Sequence, residues 1–153
     1  MATTARGRAP IHLWIVGFLA LLWNAFGCYD YLMTRIRGAD YIATTMPGID
    51  ANAALAWINA MPLYAQIGWG LGVWLGLLGS MLMLVRSRWA VWSFGLSLVG
   101  AILRLGYQIA LAPPMPGAAV ESGMMKLVPY VIILIAAFLF WYSWSQEKRG
   151  VLG

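Results

Sequence analysis

The sequence predicts an all-α, polytopic membrane protein with four transmembrane helices and both termini on the cytoplasmic side. Three observations carry the prediction. Hydrophobic residues make up 62% of the 153 and charged residues only 10%, with a mean hydropathy of +0.76, whereas soluble domains sit near ~45–50% apolar and ~25% charged. The apolar residues fall into four runs, and a helix of ~20 such residues crosses a hydrocarbon core about 30 Å thick. The basic residues cluster at the ends of those runs, where they encode topology.

The first span covers residues 11–33. Its apolar run is too long for a signal-peptide core, and no small-x-small cleavage site follows, so a retained helix is expected. That helix is expected to continue into "TRIRGADYIATT". In "DANAALAWINA", residues 50–60, Asp50 is a candidate N-cap for a short interfacial helix in the first outer loop. The second span, 62–85, opens on Pro62, whose missing N–H costs nothing in a first helical turn. The third span, 90–111, runs into the loop "APPMPG". The fourth covers 127–144. Together the four form one domain, 1–153.

An even number of spans puts both termini on one side. Placing them inside leaves Arg6, Arg8, Arg86, Arg88, Lys148 and Arg149 on the inner face, against Arg35, Arg37 and Lys126 outside. That asymmetry selects the N-in, C-in orientation. The same clustering explains the net charge of +5 without nucleic acid. A single cysteine, Cys28, excludes an internal disulfide.

Helical periodicity of about 100° per residue sorts each span into faces. On the first, Ala20, Trp23, Asn24, Gly27, Asp30, Tyr31 and Thr34 share an inward stripe, opposite a lipid face of Leu21, Leu22, Ala25, Phe26, Tyr29, Leu32 and Met33. On the third, Ser93, Ser97, Gly100, Arg104, Tyr107 and Gln108 form a stripe. The second carries Ala65, Gly68, Gly72, Gly76 and Gly79 along one side, a close-packing signal that puts this helix at the centre. The fourth lacks strongly polar residues between Tyr130 and Tyr142 and reads as peripheral. Trp14-x-x-Gly17 and Trp92-x-x-Gly95 share one offset, and the same offset pairs Tyr29-Asp30 with Tyr107-Gln108. Spans one and three thus read as equivalent halves of a parallel repeat.

At ~1.5 Å per residue, Asp30 lies about 27 Å and Arg104 about 21 Å from the inner helix starts, so both belong to the outer half. A mid-bilayer charge costs ~2.5–3.5 kcal/mol even on lenient scales, so Arg104 needs a partner or water. Three arrangements satisfy this pattern. Asp30 and Arg104 can form a structural ion pair capped by amides. They can instead line an outward pocket with Asn24, Tyr107 and Gln108, joined by Gln66. Or Asp30 can sit among headgroups with Arg35 and Arg37. No Ser/His/acid set, phosphate loop or paired carboxylates point to an enzyme. His12 stands alone, so neither a metal site nor a cofactor is implied.

"HLWIVGFLALLWNAFGCYDYLMT", "GVWLGLLGS", "RSRWAV" and the C-terminal "KRGVL" resemble a family of short bacterial four-helix membrane proteins often labelled sugar transporters. The loop 38–60 departs most from that pattern, and Met61-Pro62 stands where an aromatic-Pro pair is common. The resemblance implies a multi-pass protein of the bacterial inner membrane. Asn24, Asp30, Trp23, Tyr107 and Gln108 suit a sugar, and Arg104 suits an anionic solute. Transport by four helices would call for a homodimer, with the glycine stripe of span two as the contact. The competing expectation is a non-catalytic accessory subunit of a larger membrane complex.

Overall fold

The computed structural model describes residues 8–117 and 123–153; Arg6 of the charge count lies outside them. Among the described residues the chain is all α-helix, in the order α1 Ile11–Ile36, α2 Ala39–Thr45, α3 Ala51–Asn59, α4 Leu63–Leu84, α5 Trp89–Ala110 and α6 Gly123–Lys148. Four of these, α1, α4, α5 and α6, are long and apolar enough to cross a membrane.

The helix ends follow local chemistry. α1 runs three residues beyond the expected span and then stops, because Gly38 takes φ +53, a left-handed conformation that suits glycine and breaks the helix. The expected helical continuation through "TRIRGADYIATT" is therefore split, and α2 starts afresh at Ala39. α3 is the short helix anticipated in this loop: the Asp50 carboxylate accepts from the N–H groups of Asn52 and Ala53, at 3.0 and 3.1 Å. Pro62 takes the extended N-cap position rather than the expected place in the first turn, so α4 begins one residue later, at Leu63. α6 is longer than its predicted span at both ends and carries Pro129 inside it, which deletes one backbone donor in its second turn.

α4 is the central helix, packed on α1 along one side and most extensively on α5 along the other, and α6 packs on α5. The closest approach is at Gly68, Gly72 and Gly100, where added Cβ atoms at Gly68 and Gly100 would meet backbone at 2.6–2.7 Å. Ser93 and Ser97 on α5 donate to the carbonyls of Leu75 and Gly72, at 2.8 and 2.6 Å. Farther along, Gly76 abuts Asn24 and Ser97, and Gly79 abuts Phe94. The glycine stripe is thus consumed inside the chain. It is not open to a second copy, which corrects the expectation of a homodimer contact on that face.

Tightest burial lies at the end that carries the termini, hereafter the terminal end. Leu13, Met83, Phe94, Leu139 and Leu152 form one buried cluster drawn from all four spans and the residues after α6. His12 bonds the Tyr142 hydroxyl across it, joining α1 to α6. The α4–α5 turn is held by Arg86, whose Nε donates to the Val151 carbonyl at 3.1 Å. The opposite, distal end carries α2 and α3.

Candidate functional site: a cavity beneath α2 and α3

At the distal end the four long helices enclose a cavity of about 430 Å³. Its walls come largely from the expected stripes: Asn24, Gly27 and Asp30 on α1, Gly68 and Gly72 on α4, and Ser97, Arg104 and Gln108 on α5, with Trp69 beside the α4 glycines. α6 contributes an apolar wall that includes Pro129, Ile132, Ile135 and Ala136. The roof is α2 and α3, through Tyr41, Ile42, Ala54, Trp57 and Ile58. Phe94 and Leu139, members of the buried cluster, close the floor.

The polar groups are held in separate ways. Asn24 donates from its amide to the Ala20 carbonyl at 2.9 Å and to the Ser80 hydroxyl at 3.1 Å, and Ser80 donates on to Gly76 at 2.9 Å. Its amide nitrogen is thereby committed to fixing α1 on α4. Asp30 accepts from the Tyr41 hydroxyl at 3.0 Å. Burial, and then this carboxylate, push the Tyr41 phenol up to about 12, since both disfavour phenolate.

Arg104 is the least satisfied group. One terminal nitrogen donates to Gln108 Oε1 at 3.0 Å, one turn on. The guanidinium carbon stands 5.1 Å from the centroid of the Trp69 ring. Its Nε is buried and has no acceptor. Arg35 approaches the same indole, 5.4 Å from its centroid, while bonding Gln66. One tryptophan therefore serves two cations. Each such contact contributes ~0.5–2 kcal/mol, set against a burial cost of ~2.5–3.5 kcal/mol for the arginine and ~1–3 kcal/mol for an unpaired buried donor. The balance leaves Arg104 short of an acceptor.

Among the described residues no carboxylate comes within ion-pair distance of Arg104. The Asp30–Arg104 pair expected as one option is thus not formed; both groups line the same cavity with different partners. Asn24 and Gln108 also line it. Tyr107 does not: it packs edge-on against Tyr64, with centroids 6.0 Å apart. Gln66 lies outside as well, held by Arg35 and by the Ile58 carbonyl at 2.8 Å. Cys28 is a buried packing residue whose thiol donates to the Val73 carbonyl at 3.2 Å. Among the described residues no cluster of His, Cys, Asp or Glu has the makings of a metal site.

Two site residues escaped the sequence reading. Tyr41 was hidden because the turn at Gly38 folds α2 back over α1. Trp69 carried a usable signal, an aromatic at the distal depth of Arg104 on the adjacent helix. The chain matches no protein-family model, and no curated protein or solved structure is significantly similar to it.

Proposed function

We propose that this chain is a membrane-embedded binding protein, whose distal cavity takes a small ligand with an anionic group recognised by Arg104. The observation that carries the reading is the half-buried Arg104 side chain, its Nε buried and unpaired, on the wall of a sizeable cavity. A carboxylate or phosphate offers paired acceptor oxygens in the geometry that a guanidinium edge matches. The Gln108 amide nitrogen is a second donor beside the guanidinium; Asn24, Asp30 and Tyr41 line the same cavity, the Tyr41 and Asn24 donors already committed to Asp30, to Ser80 and to the backbone. The volume falls within the ~300–1,000 Å³ usual for small-molecule sites. With the termini cytoplasmic, as the basic residues imply, the cavity lies in the outer half of a bacterial inner membrane. Transport would additionally require the buried cluster at the terminal end to part.

The test uses protein in phosphatidylcholine nanodiscs. Tryptophan fluorescence is titrated with butyl phosphate and with dodecyl phosphate, with dodecanol as the uncharged control. Trp23, Trp57 and Trp69 line the cavity and report occupancy. At least one phosphate ester is expected to bind, and Arg104→Gln to weaken it about tenfold or more, as loss of a ~1.5–3 kcal/mol charge-assisted bond requires. Binding of neither ester, or equal binding by the variant, overturns the reading.

A further inference from the structure

We infer that the ligand is a single-chain amphiphile with a carboxylate or phosphate head, and that it enters from the outer leaflet between α1 and α6 rather than from water. The inference rests on the proposed role of Arg104 and names the class and source of what it recognises.

Among the described residues α2 and α3 roof the cavity toward the distal end, while its side opens between α1 and α6. The roof is fastened at both ends. Tyr41 bonds Asp30 on α1, and the Trp57 indole donates to the Pro113 carbonyl beyond α5 at 2.8 Å. Tyr41, Ile42 and Ala54 are buried beneath it. The side is different. α1 and α6 form no extended interface, and the bond between His12 and Tyr142 joins them at the terminal end. Toward the distal end, cavity-lining residues on both helices are also surface residues: Trp23 and Phe26 on α1, 42% and 65% exposed, and Val128 on α6, 47% exposed. They mark the lips of a cleft facing the hydrocarbon.

The lining is graded. The polar lining is Asn24 and Asp30 on α1 and Arg104 and Gln108 on α5, with Trp69 on α4 between them, while the α6 side and the cleft are lined by Phe26, Val128, Ile132 and Ile135. A sugar-like solute would leave this apolar wall unused and an apolar gap facing lipid. An alkyl tail fills both, and its head meets the Arg104 guanidinium beside Trp69. The cavity of about 430 Å³ suits one chain and a compact head, at the lower end of the range for small-molecule sites.

The experiment compares butyl and dodecyl phosphate in the same nanodiscs, on wild type, Arg104→Gln and Ala136→Phe. Ala136 lines the cleft from α6, so a phenyl group there occupies tail space without touching the cations. The expected result is Arg104-dependent binding of dodecyl phosphate that Ala136→Phe weakens about tenfold or more by steric exclusion. Any binding of butyl phosphate should be unaffected by Ala136→Phe. An unchanged melting temperature shows that Ala136→Phe is folded; if it is not, Ile132→Trp fills the same cleft. Equal Arg104-dependent binding of both esters, unmoved by either cleft variant, overturns the amphiphile and leaves the anion site standing. No Arg104-dependent binding of either ester overturns both.

Discussion

The α4–α5 crossing makes a sharp stability prediction. A methyl group at Gly100 would stand 2.6 Å from the Gly72 nitrogen, 2.7 Å from the Gly68 oxygen and 3.0 Å from Leu71 Cβ. Two of these are backbone atoms, so no rotamer change relieves them. The helices must part by roughly 0.8 Å to restore ordinary contact, and a gap of ~0.5–1 Å forfeits a quarter to a half of the dispersion attraction across it. The Ser97 and Ser93 bonds to α4 stretch with it. Overpacking of this kind costs ~1–3 kcal/mol, offset by ~0.5–1 kcal/mol from replacing a helical glycine by alanine. Gly100→Ala is therefore expected to lose about 1–2 kcal/mol. Gly106 lies on the same helix with nothing within 4 Å of its virtual Cβ, so Gly106→Ala keeps the propensity gain without the clash. Reversible unfolding in mixed micelles measures both. If Gly100→Ala is as stable as Gly106→Ala, the close crossing does not hold the bundle together as argued.

Three further outcomes follow from the same geometry. Asn24→Ala should destabilise by about 0.6 kcal/mol, the average for an interhelical bond in lipid, and no more than ~1.7, measured in the same micelles. The Tyr41 phenol should titrate at about 12, against ~10 for an unfolded tyrosine, in the ultraviolet difference spectrum between wild type and Tyr41→Phe. Because the folded value is the higher, the Tyr41–Asp30 contact contributes fully below pH ~10 and is lost as pH rises through about 12; Asp30→Asn should lower that value only in part, since burial is the first cause. Trp57→Phe removes the roof's tie to Pro113 and should speed hydrogen exchange across residues 51–59, leaving α4 and α5 unchanged.

Much of this arrangement was readable in the sequence, for identifiable reasons. The period of 3.6 put Asn24 and Asp30 on one stripe and Arg104 and Gln108 on another, and the glycine spacing marked α4 as central. The Asp50 cap was legible because its chemistry is local. Tyr107 was misplaced because a wheel resolves a face to about 100°. It stands three residues after Arg104 and Gln108 four, so the two lie on opposite flanks of the arginine. α4 takes the Tyr107 flank, where Tyr64 waits, and the cavity takes the other. The ion pair was misjudged for a different reason. Depth brought Asp30 and Arg104 to comparable levels, but no periodicity reveals that a reversal at Gly38 delivers Tyr41 to the carboxylate first.

The sequence offset that pairs Trp14-x-x-Gly17 with Trp92-x-x-Gly95 has a counterpart in what these positions touch. Gly17 on α1 faces Leu84 of the following span, and Gly95 on α5 faces Phe140 of the following span. At the same offset Asp30 and Gln108 both line the cavity, while Tyr29 and Tyr107 pack edge-on against Tyr41 and Tyr64. Matching positions thus do matching jobs in two helical hairpins, α1 with α4 and α5 with α6. What differs is the connection, because among the described residues the pair of short helices belongs to the loop of the first hairpin. That insertion roofs the cavity and supplies Tyr41, so Asp30 is satisfied from within. Among the described residues the second hairpin offers Arg104 Gln108 and the first offers it the face of Trp69, neither of them a counter-charge. The asymmetry leaves a positive group deep in a cleft covered from solvent and open to lipid, the two conditions under which an anionic amphiphile is its natural complement.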